Sequence, residues 1–557
     1  MGLAYALGSA GTELLFGVPG GGSNLDVVGA CEAAGIRFVL THTETAAAIM
    51  AGVTAGLTGT VGACVVTRGP GVASAINGIA QALLDRQPVI IVTDCVADTD
   101  YDRISHQRID QHALMSAVTK GSFRLLPTDA KAAATAVALT QQCRPGPVHV
   151  ELDASTNFAT VSGGKADLAV GDFHILKEVL SSSKRPVIVL GVGATSLPSK
   201  QRAPFAKALK DLLRDSHIPV LTTYNARGVV DDLGPHAAGV ATGATIESQL
   251  LHDADAVIGI GFDPVELIPH SWSYSAPVVL LGSWVIDDST YFGDRLVGEF
   301  VGDLARLMKR LALVIRSDWE PGHASDYRIN SIRAINEALP EVDTETGLTP
   351  QQVVNLAAAA APGETVIAID AGAHMLVAVP LWPARVPGQI LISSGLATMG
   401  FALPAAVAAS LVTPTKHVIC FTGDGGIGMA LAELETLARL NAKVVVVVFN
   451  DSKLSLIAIK QRAEGHGGSN AVTYTRTDFA AIAAGYGCNM RAERAATIEE
   501  YNNALKRAFD HDGPTLLDVQ VDPGAYPHIL EAIRGQRSNG PTRPTRRPAD
   551  IIGNLRR

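Results

Sequence analysis

Paired cysteines, a basic surface and a long apolar run are all missing from this chain, and each absence narrows what it can be. The six cysteines (Cys31, Cys64, Cys95, Cys143, Cys420 and Cys488) stand far apart, with no Cys-x-x-Cys pair. Most lie in apolar, strand-like runs, which reads as buried reduced thiols in a cytosolic protein rather than a metal knot or a disulfide frame. The formal net charge is −9. That argues against nucleic acid as the main partner, because phosphate binding needs clustered basic side chains. No basic residue precedes Arg37, so the start has no basic region of a secretory signal, and Ala6 departs from the myristoylation pattern that Met-Gly would open. No run of about 18 uninterrupted apolar residues occurs. The expectation is a cytoplasmic protein with neither nucleic acid nor membrane as partner.

What is present is α/β material. Of 557 residues, 47% are hydrophobic and 18% charged, and there are 54 glycines. Such a chain can hold three or four domains of roughly 150 residues each. Short apolar runs (Leu14 to Val18, Arg37 to Thr41, Val61 to Thr67, Pro88 to Thr93, Val148 to Leu152) alternate with helical stretches, the pattern of a parallel doubly wound sheet. A second unit follows from Val187-Ile188-Val189-Leu190, and a third begins where Thr349 and Pro350 open a helix as N-cap and first helical residue. The expected domains are 1–165, 170–320 and 345–530, with a largely polar linker from Asp318 to about Glu345. The tail 534–557 carries seven arginines and one acid, the composition of a solvated arm.

The third unit holds the most informative stretch. The apolar run His417 to Thr422 enters Gly423-Asp424-Gly425-Gly426, and Val444 to Phe449 ends in Asn450-Asp451. A buried strand, a Gly-Asp-Gly turn and a helix place a carboxylate and free N–H groups where a diphosphate and its metal can sit. Asp451 follows Asp424 by 27 positions, room for one helix (Met429 to Leu440) and one strand. Both carboxylates can therefore meet at the carboxyl edge of adjacent parallel strands.

This pair resembles the signature of the thiamine diphosphate-dependent enzymes: Gly-Asp-Gly, a spacer in the high twenties, then Asn-Asn. The resemblance implies that Asp424, Asp451 (where the family has a second Asn) and the carbonyl of Lys453 hold Mg²⁺ on the diphosphate. It also implies that Gly423 to Gly426, Asn450 and Leu454 bind the cofactor. Phe16-Gly17-Val18-Pro19-Gly20, His42-Thr43-Glu44 and Gly69-Pro70-Gly71 resemble the family's pyrimidine-binding domain, so Pro19 and Gly20 are expected at the cofactor. Glu44 is expected as the acid that hydrogen-bonds the aminopyrimidine. Asp370-Ala371-Gly372-Ala373-His374 resembles the diphosphate loop, giving Gly372, Ala373 and His374. The stretch Ser393 to Ala406 resembles acetolactate synthases; it implies that Met399 wedges under the bent cofactor and that the carbonyl of Ala397, where Gly is usual, accepts from the pyrimidine.

On the substrate side, Gln107 is expected to act in catalysis, and His106, Lys120, Leu456 and Lys460 to line the substrate pocket. His106 replaces an expected Phe and either orients a polar acceptor or has no role. Lys460 departs from the bulky aromatic of the biosynthetic enzymes. Gly261-Phe262-Asp263-Pro264-Val265-Glu266, with Pro269 and Trp272, looks like the flavin-free catabolic synthases, so thiamine diphosphate and Mg²⁺ are expected and FAD is not.

The resemblance implies three α/β domains, each a mostly parallel sheet flanked by helices. It implies a homodimer at least, with a homotetramer expected, since Glu44 and Asp424 would meet across subunits. The implied reaction is decarboxylation of a 2-keto acid, with ligation of the resulting enamine to a second carbonyl compound. Three alternatives stay open: a non-ligating decarboxylase or other lyase acting on a diketone or acyl-CoA; an inactive cofactor-binding regulatory homologue; and, resting only on Gly191-x-Gly193, a dinucleotide-dependent oxidoreductase.

Overall fold

The computed structural model describes residues 2–126, 128–142, 144–152, 158–161, 173–268, 272–286, 289–339, 347–465, 470–487 and 489–535. Cys143, Cys488, Pro269 and all but the first two residues of the expected basic tail lie outside them.

Three sheets organise the chain. The first has strands β1 (Leu14–Val18), β2 (Arg37–Leu40), β3 (Gly62–Val66), β4 (Val89–Asp94), β5 (Gly121–Leu125), β6 (Val148–Leu152) and β7 (Phe158–Val161), in the order β2-β1-β3-β4-β6-β5-β7. All its pairs are parallel except β5 with β7. The second has β8 (Pro186–Leu190), β9 (Val220–Thr222), β10 (Ala237–Val240), β11 (Ala256–Ile260), β12 (Val278–Gly282) and β13 (Leu296–Val301), ordered β10-β9-β8-β11-β12-β13. The third has β14 (Val366–Ile369), β15 (Ile390–Ile392), β16 (Val418–Gly423), β17 (Val444–Asn450), β18 (Arg491–Ala495) and β19 (Thr515–Gln520), ordered β15-β14-β16-β17-β19-β18.

Runs such as Val444–Asn450 and Gly62–Val66 are buried at every position. Helices cover both faces of a parallel sheet, so these strands read as continuous apolar stretches rather than alternating ones. In the first sheet β1 has β2 on one side and β3 on the other; in the third, β14 lies between β15 and β16. At such a reversal the loops leaving the carboxyl ends diverge and open a crevice.

Helix starts follow local chemistry. The Thr43 side chain accepts from Ala46 N and caps the helix Glu44–Thr58. Thr349 and Gln352 form a reciprocal capping box on the helix Pro350–Ala360. Two expectations are corrected. The polar stretch expected as linker contains a helix, His323–Asn336, which buries only Ala324 and Ile335 and so shows little apolar periodicity. The Gly-Asp-Gly stretch is not a turn before a later helix: the helix begins at Asp424 itself, as Asp424–Ala430, and Glu433–Leu440 follows.

The helices Glu44–Thr58 and Ala402–Val412 share one hydrophobic core, so the first and third units of the same chain are packed together through it. Arg86 joins the first unit to the second: its Nε and Nη2 donate to Asp263 Oδ2 at 3.0 and 2.8 Å, with both side chains buried.

In the second unit the loop Gly191-Val192-Gly193 is closed from within. Gly191 N donates to Ile260 O, Gly193 N to Gly261 O and Val192 N to Glu266 Oε2 at 2.6 Å. A Cβ on Gly193 would lie 2.7 Å from Gly261 Cα. No amide of that glycine loop is left for a phosphate.

Candidate active site

Strands β16 and β17 are parallel neighbours, with Gly423 in register with Phe449. Asp424 and Asp451 therefore emerge side by side, and both bind one backbone group: Lys453 N donates to Asp424 Oδ2 at 3.1 Å and to Asp451 Oδ1 at 3.0 Å. The remaining oxygens are also occupied, Asp424 Oδ1 by Gly425 N at 2.6 Å and Asp451 Oδ2 by Ser455 Oγ at 2.6 Å. Ser452 bends the chain back to allow this, with φ at 59°, a left-handed conformation uncommon outside glycine.

These carboxylates edge a cavity of about 200 Å³. Its wall includes Gly372, Ala373, His374, Ala397, Met399, Gly423 to Gly426, Lys453, Leu454 and Leu456. The expected site residues of the third unit thus converge, with two exceptions. Asn450 is turned away: its Nδ2 donates to Asp518 Oδ1 at 2.8 Å and Thr477 O at 2.9 Å. Lys460 is exposed, one helical turn beyond Leu456, and is not on the wall.

Glycine is required here by close approach. A Cβ on Gly425 would lie 2.8 Å from Leu454 Cδ2 and 3.3 Å from Met399 Cε, so its absence lets those two side chains meet at the cavity. Ala397 stands at φ 53°, holding as alanine the left-handed backbone for which glycine is usual.

The donor set fits a magnesium diphosphate. Burial, with Asp424 beside it, pushes the Asp451 carboxyl up to about 7 against the lowering pull of Ser455, and burial raises Asp424 as well. A pair of carboxylates so disfavoured as anions is one that a cation would relieve. Among the described residues no cluster of three or more His, Cys, Asp or Glu side chains forms. A metal here would complete its shell from backbone, water and phosphate oxygens, as Mg²⁺ does. His374 also fits a phosphate neighbour: it is buried, stacked on Phe449 at 5.3 Å, pushed down to about 4 by burial, and its Nε2 has no partner among the described residues.

Asp370 braces this site and Tyr526 borders it, and neither is picked out by the sequence reading. Asp370 Oδ1 accepts from Ala371 N and Phe401 N, both at 3.1 Å, and Oδ2 from Thr422 Oγ1 at 2.9 Å. It thereby holds together the three loops that carry His374, Met399 and Asp424. Its place at a strand end, like that of Asp424, was the available signal. Tyr526, on the cavity wall, left none.

The first unit builds a separate cluster on the carboxyl edge of its own sheet. Pro19 and Gly20 follow β1, Glu44 follows β2 and Gly69 to Gly71 follow β3. A Cβ on Gly20 would lie 2.3 Å from Thr67 Oγ1, one on Gly71 3.3 Å from Glu44 Oε1, and one on Gly69 2.6 Å from Gln107 O. Glycines thus allow the loops bearing Gly20, Glu44 and Gln107 to close up. Glu44 is half-buried and does not line the 200 Å³ cavity. The segment before it is pinned to the third unit of the same chain, His42 N and Thr43 N donating to Glu433 Oε1 at 3.0 and 3.1 Å. Gln107, at φ 56°, and His106 are both exposed. Lys120 is committed elsewhere: its Nζ donates to Leu139 O and Gln142 O, both at 2.5 Å, at the end of the helix Ala130–Gln141, where a cation is favoured.

The three units match domains of known proteins. Residues 2–114 match the model for the thiamine pyrophosphate enzyme N-terminal TPP binding domain, residues 174–280 its central domain, and residues 370–519 its C-terminal TPP binding domain. The catabolic acetolactate synthase of Raoultella terrigena is 29% identical, over 94% of this chain and 95% of that one. The acetolactate synthase of Bacillus subtilis is 27% identical, over 92% and 91%. Among solved structures, the thiamine diphosphate-dependent 4-hydroxybenzoylformate decarboxylase of Rhodococcus jostii RHA1 shares the fold, with a TM-score of 0.75 and 22% identity over 94% of this chain and 98% of that one.

Proposed function

This chain belongs to the thiamine pyrophosphate-dependent enzymes and is acetolactate synthase-like, and from that premise we propose that it decarboxylates a 2-keto acid and joins the product fragment to a second carbonyl compound. The observation that carries the reading is the convergence of Asp424 and Asp451 on one backbone N–H beside Met399 and His374. Thiamine diphosphate, when bound, supplies the electron sink that makes loss of CO₂ possible.

The chain's own residues bind, orient and shield. Asp424, Asp451 and the carbonyl of Lys453 hold Mg²⁺, while Gly372 to His374 and Gly423 to Gly426 wrap the diphosphate. Met399 and Leu454, brought together by Gly425, give the pocket an apolar floor that keeps water from the reacting centre. Glu44 holds and moves the proton at the ring nitrogen of the aminopyrimidine, an acid–base role worth about 10²–10⁴ in rate. Because the cavity wall is drawn from the third unit, Glu44 serves the cavity of a second copy. A homodimer is then the smallest active unit, with a tetramer as its pairing.

The closed Gly191-Val192-Gly193 loop, whose Val192 amide is taken by Glu266, speaks against the dinucleotide-dependent reading, and the flavin-free reading rests on the resemblance carried by Gly261 to Glu266. Cys31, Cys64 and Cys420 are free and buried, which accords with a cytoplasmic setting. No helix among the described residues is long and apolar enough to cross a membrane.

Purified protein with thiamine diphosphate and Mg²⁺, incubated with a panel of 2-keto acids, tests the reading through CO₂ release and product identification. A ligated hydroxyketo product, such as acetolactate from pyruvate, is expected. An aldehyde alone would select simple decarboxylation, and no CO₂ from any acid would remove the reading.

A further inference from the structure

Tyr526 opens the helix Tyr526–Arg534, and its ring is part of the second hydrophobic core, with the residue only 2% exposed. It also borders the cavity that Asp424 and Asp451 edge. A buried tyrosine normally finds a hydrogen-bond partner for its hydroxyl. Among the described residues no hydrogen bond satisfies the Tyr526 hydroxyl; the phenol lies close enough to Asp424 and Asp451 for both carboxylates to act on it, at the edge of their cavity.

The nearest carboxylates already have other partners. All four oxygens of Asp424 and Asp451 receive hydrogen bonds, from Gly425 N, Lys453 N and Ser455 Oγ. A tyrosine hydroxyl is protonated at neutral pH, so it is a donor at the cavity edge without an acceptor of its own.

We propose that the Tyr526 hydroxyl is a cofactor-binding group that donates a hydrogen bond to a diphosphate oxygen, linking the helix Tyr526–Arg534 to the bound cofactor. This rests on the thiamine diphosphate reading above. It adds a donor on a different element from the Gly372 to His374 loop and the Asp424 helix.

The test compares the full-length wild type with Tyr526→Phe, which keeps the ring in the core. Calorimetric titration of the cofactor-free proteins at saturating Mg²⁺ should show thiamine diphosphate binding weakened by roughly tenfold or more, the range for a hydrogen bond to a charged acceptor. Affinity for thiamine, which lacks the diphosphate, should be unchanged, as should the thermal midpoint of the cofactor-free protein. Unchanged thiamine diphosphate affinity overturns the assignment while leaving the proposed function standing. Equal weakening for thiamine and thiamine diphosphate also overturns it, because the loss would then come from a distorted pocket. If the wild type binds no thiamine diphosphate, the proposed function fails and this inference with it.

Discussion

Gly426 stands against Asp370 so closely that a Cβ on the glycine would lie 2.3 Å from Asp370 Oδ2. Asp370 is the hub of the site, holding the Ala371 and Phe401 amides and the Thr422 hydroxyl. Glycine inside a helix costs about 1 kcal/mol relative to alanine; here the contact requires it.

Gly426→Ala is therefore expected to destabilise, against the helix-propensity rule. Overpacking of this kind costs about 1–3 kcal/mol, and each buried hydrogen bond lost adds about as much. Calorimetric unfolding should show a lower midpoint, and thiamine diphosphate binding should weaken. A midpoint at or above wild type would contradict the role given to Asp370.

The metal site makes a different forecast. Asp424→Ala should lose Mg²⁺-dependent retention of thiamine diphosphate. Asp451→Asn should keep the cofactor but depend less on metal, because the second carboxylate places extra negative charge beside the diphosphate. The ratio of dissociation constants with and without a chelator should be larger for wild type than for Asp451→Asn. Equal ratios would show that the second charge does not matter.

Glu266 gives a pH dependence with a definite sign. Burial, opposed by Val192 N and Thr223 Oγ1, pushes its carboxyl from an ordinary 4.5 up to about 8. Between those values the unfolded chain is ionised while the folded one keeps the proton. The folded state then binds more protons, so stability falls as pH rises, at roughly 1.4 kcal/mol per pH unit, and levels off above about 8. Glu266→Gln removes this slope. Relative to wild type it should gain stability steadily from pH 5 to 8 in denaturant titrations; a flat difference would place the titration elsewhere.

Much of this is legible in the sequence. Parallel strands buried on both faces appear as unbroken runs such as Val444 to Phe449, and Thr43 and Thr349 marked their helices through their own side chains. What escaped was non-local or weakly patterned. The helix His323–Asn336 buries too little to show a period, and β7 pairs antiparallel on a sheet edge. Gly425 and Gly426 look like turn residues, because the reason for them, contact with Leu454, Met399 and Asp370, is spread along the chain. Lys120 shows the limit of carrying a role by position: its amine caps a helix.

The core shared by the helices Glu44–Thr58 and Ala402–Val412 holds the two halves of one chain together, with Glu44 off the wall of that chain's cavity. Two crippled chains should then rescue each other. Mixing Glu44→Gln with Asp424→Ala chains, each inactive alone, should give mixed dimers in which one site takes Glu44 from one chain and Asp424 from the other. Random pairing in a twofold dimer makes about one quarter of all sites whole. Activity near that fraction, appearing only after subunit exchange, would mark chemistry as a property of the pair; silence in the mixture would place the whole reaction within a single polypeptide.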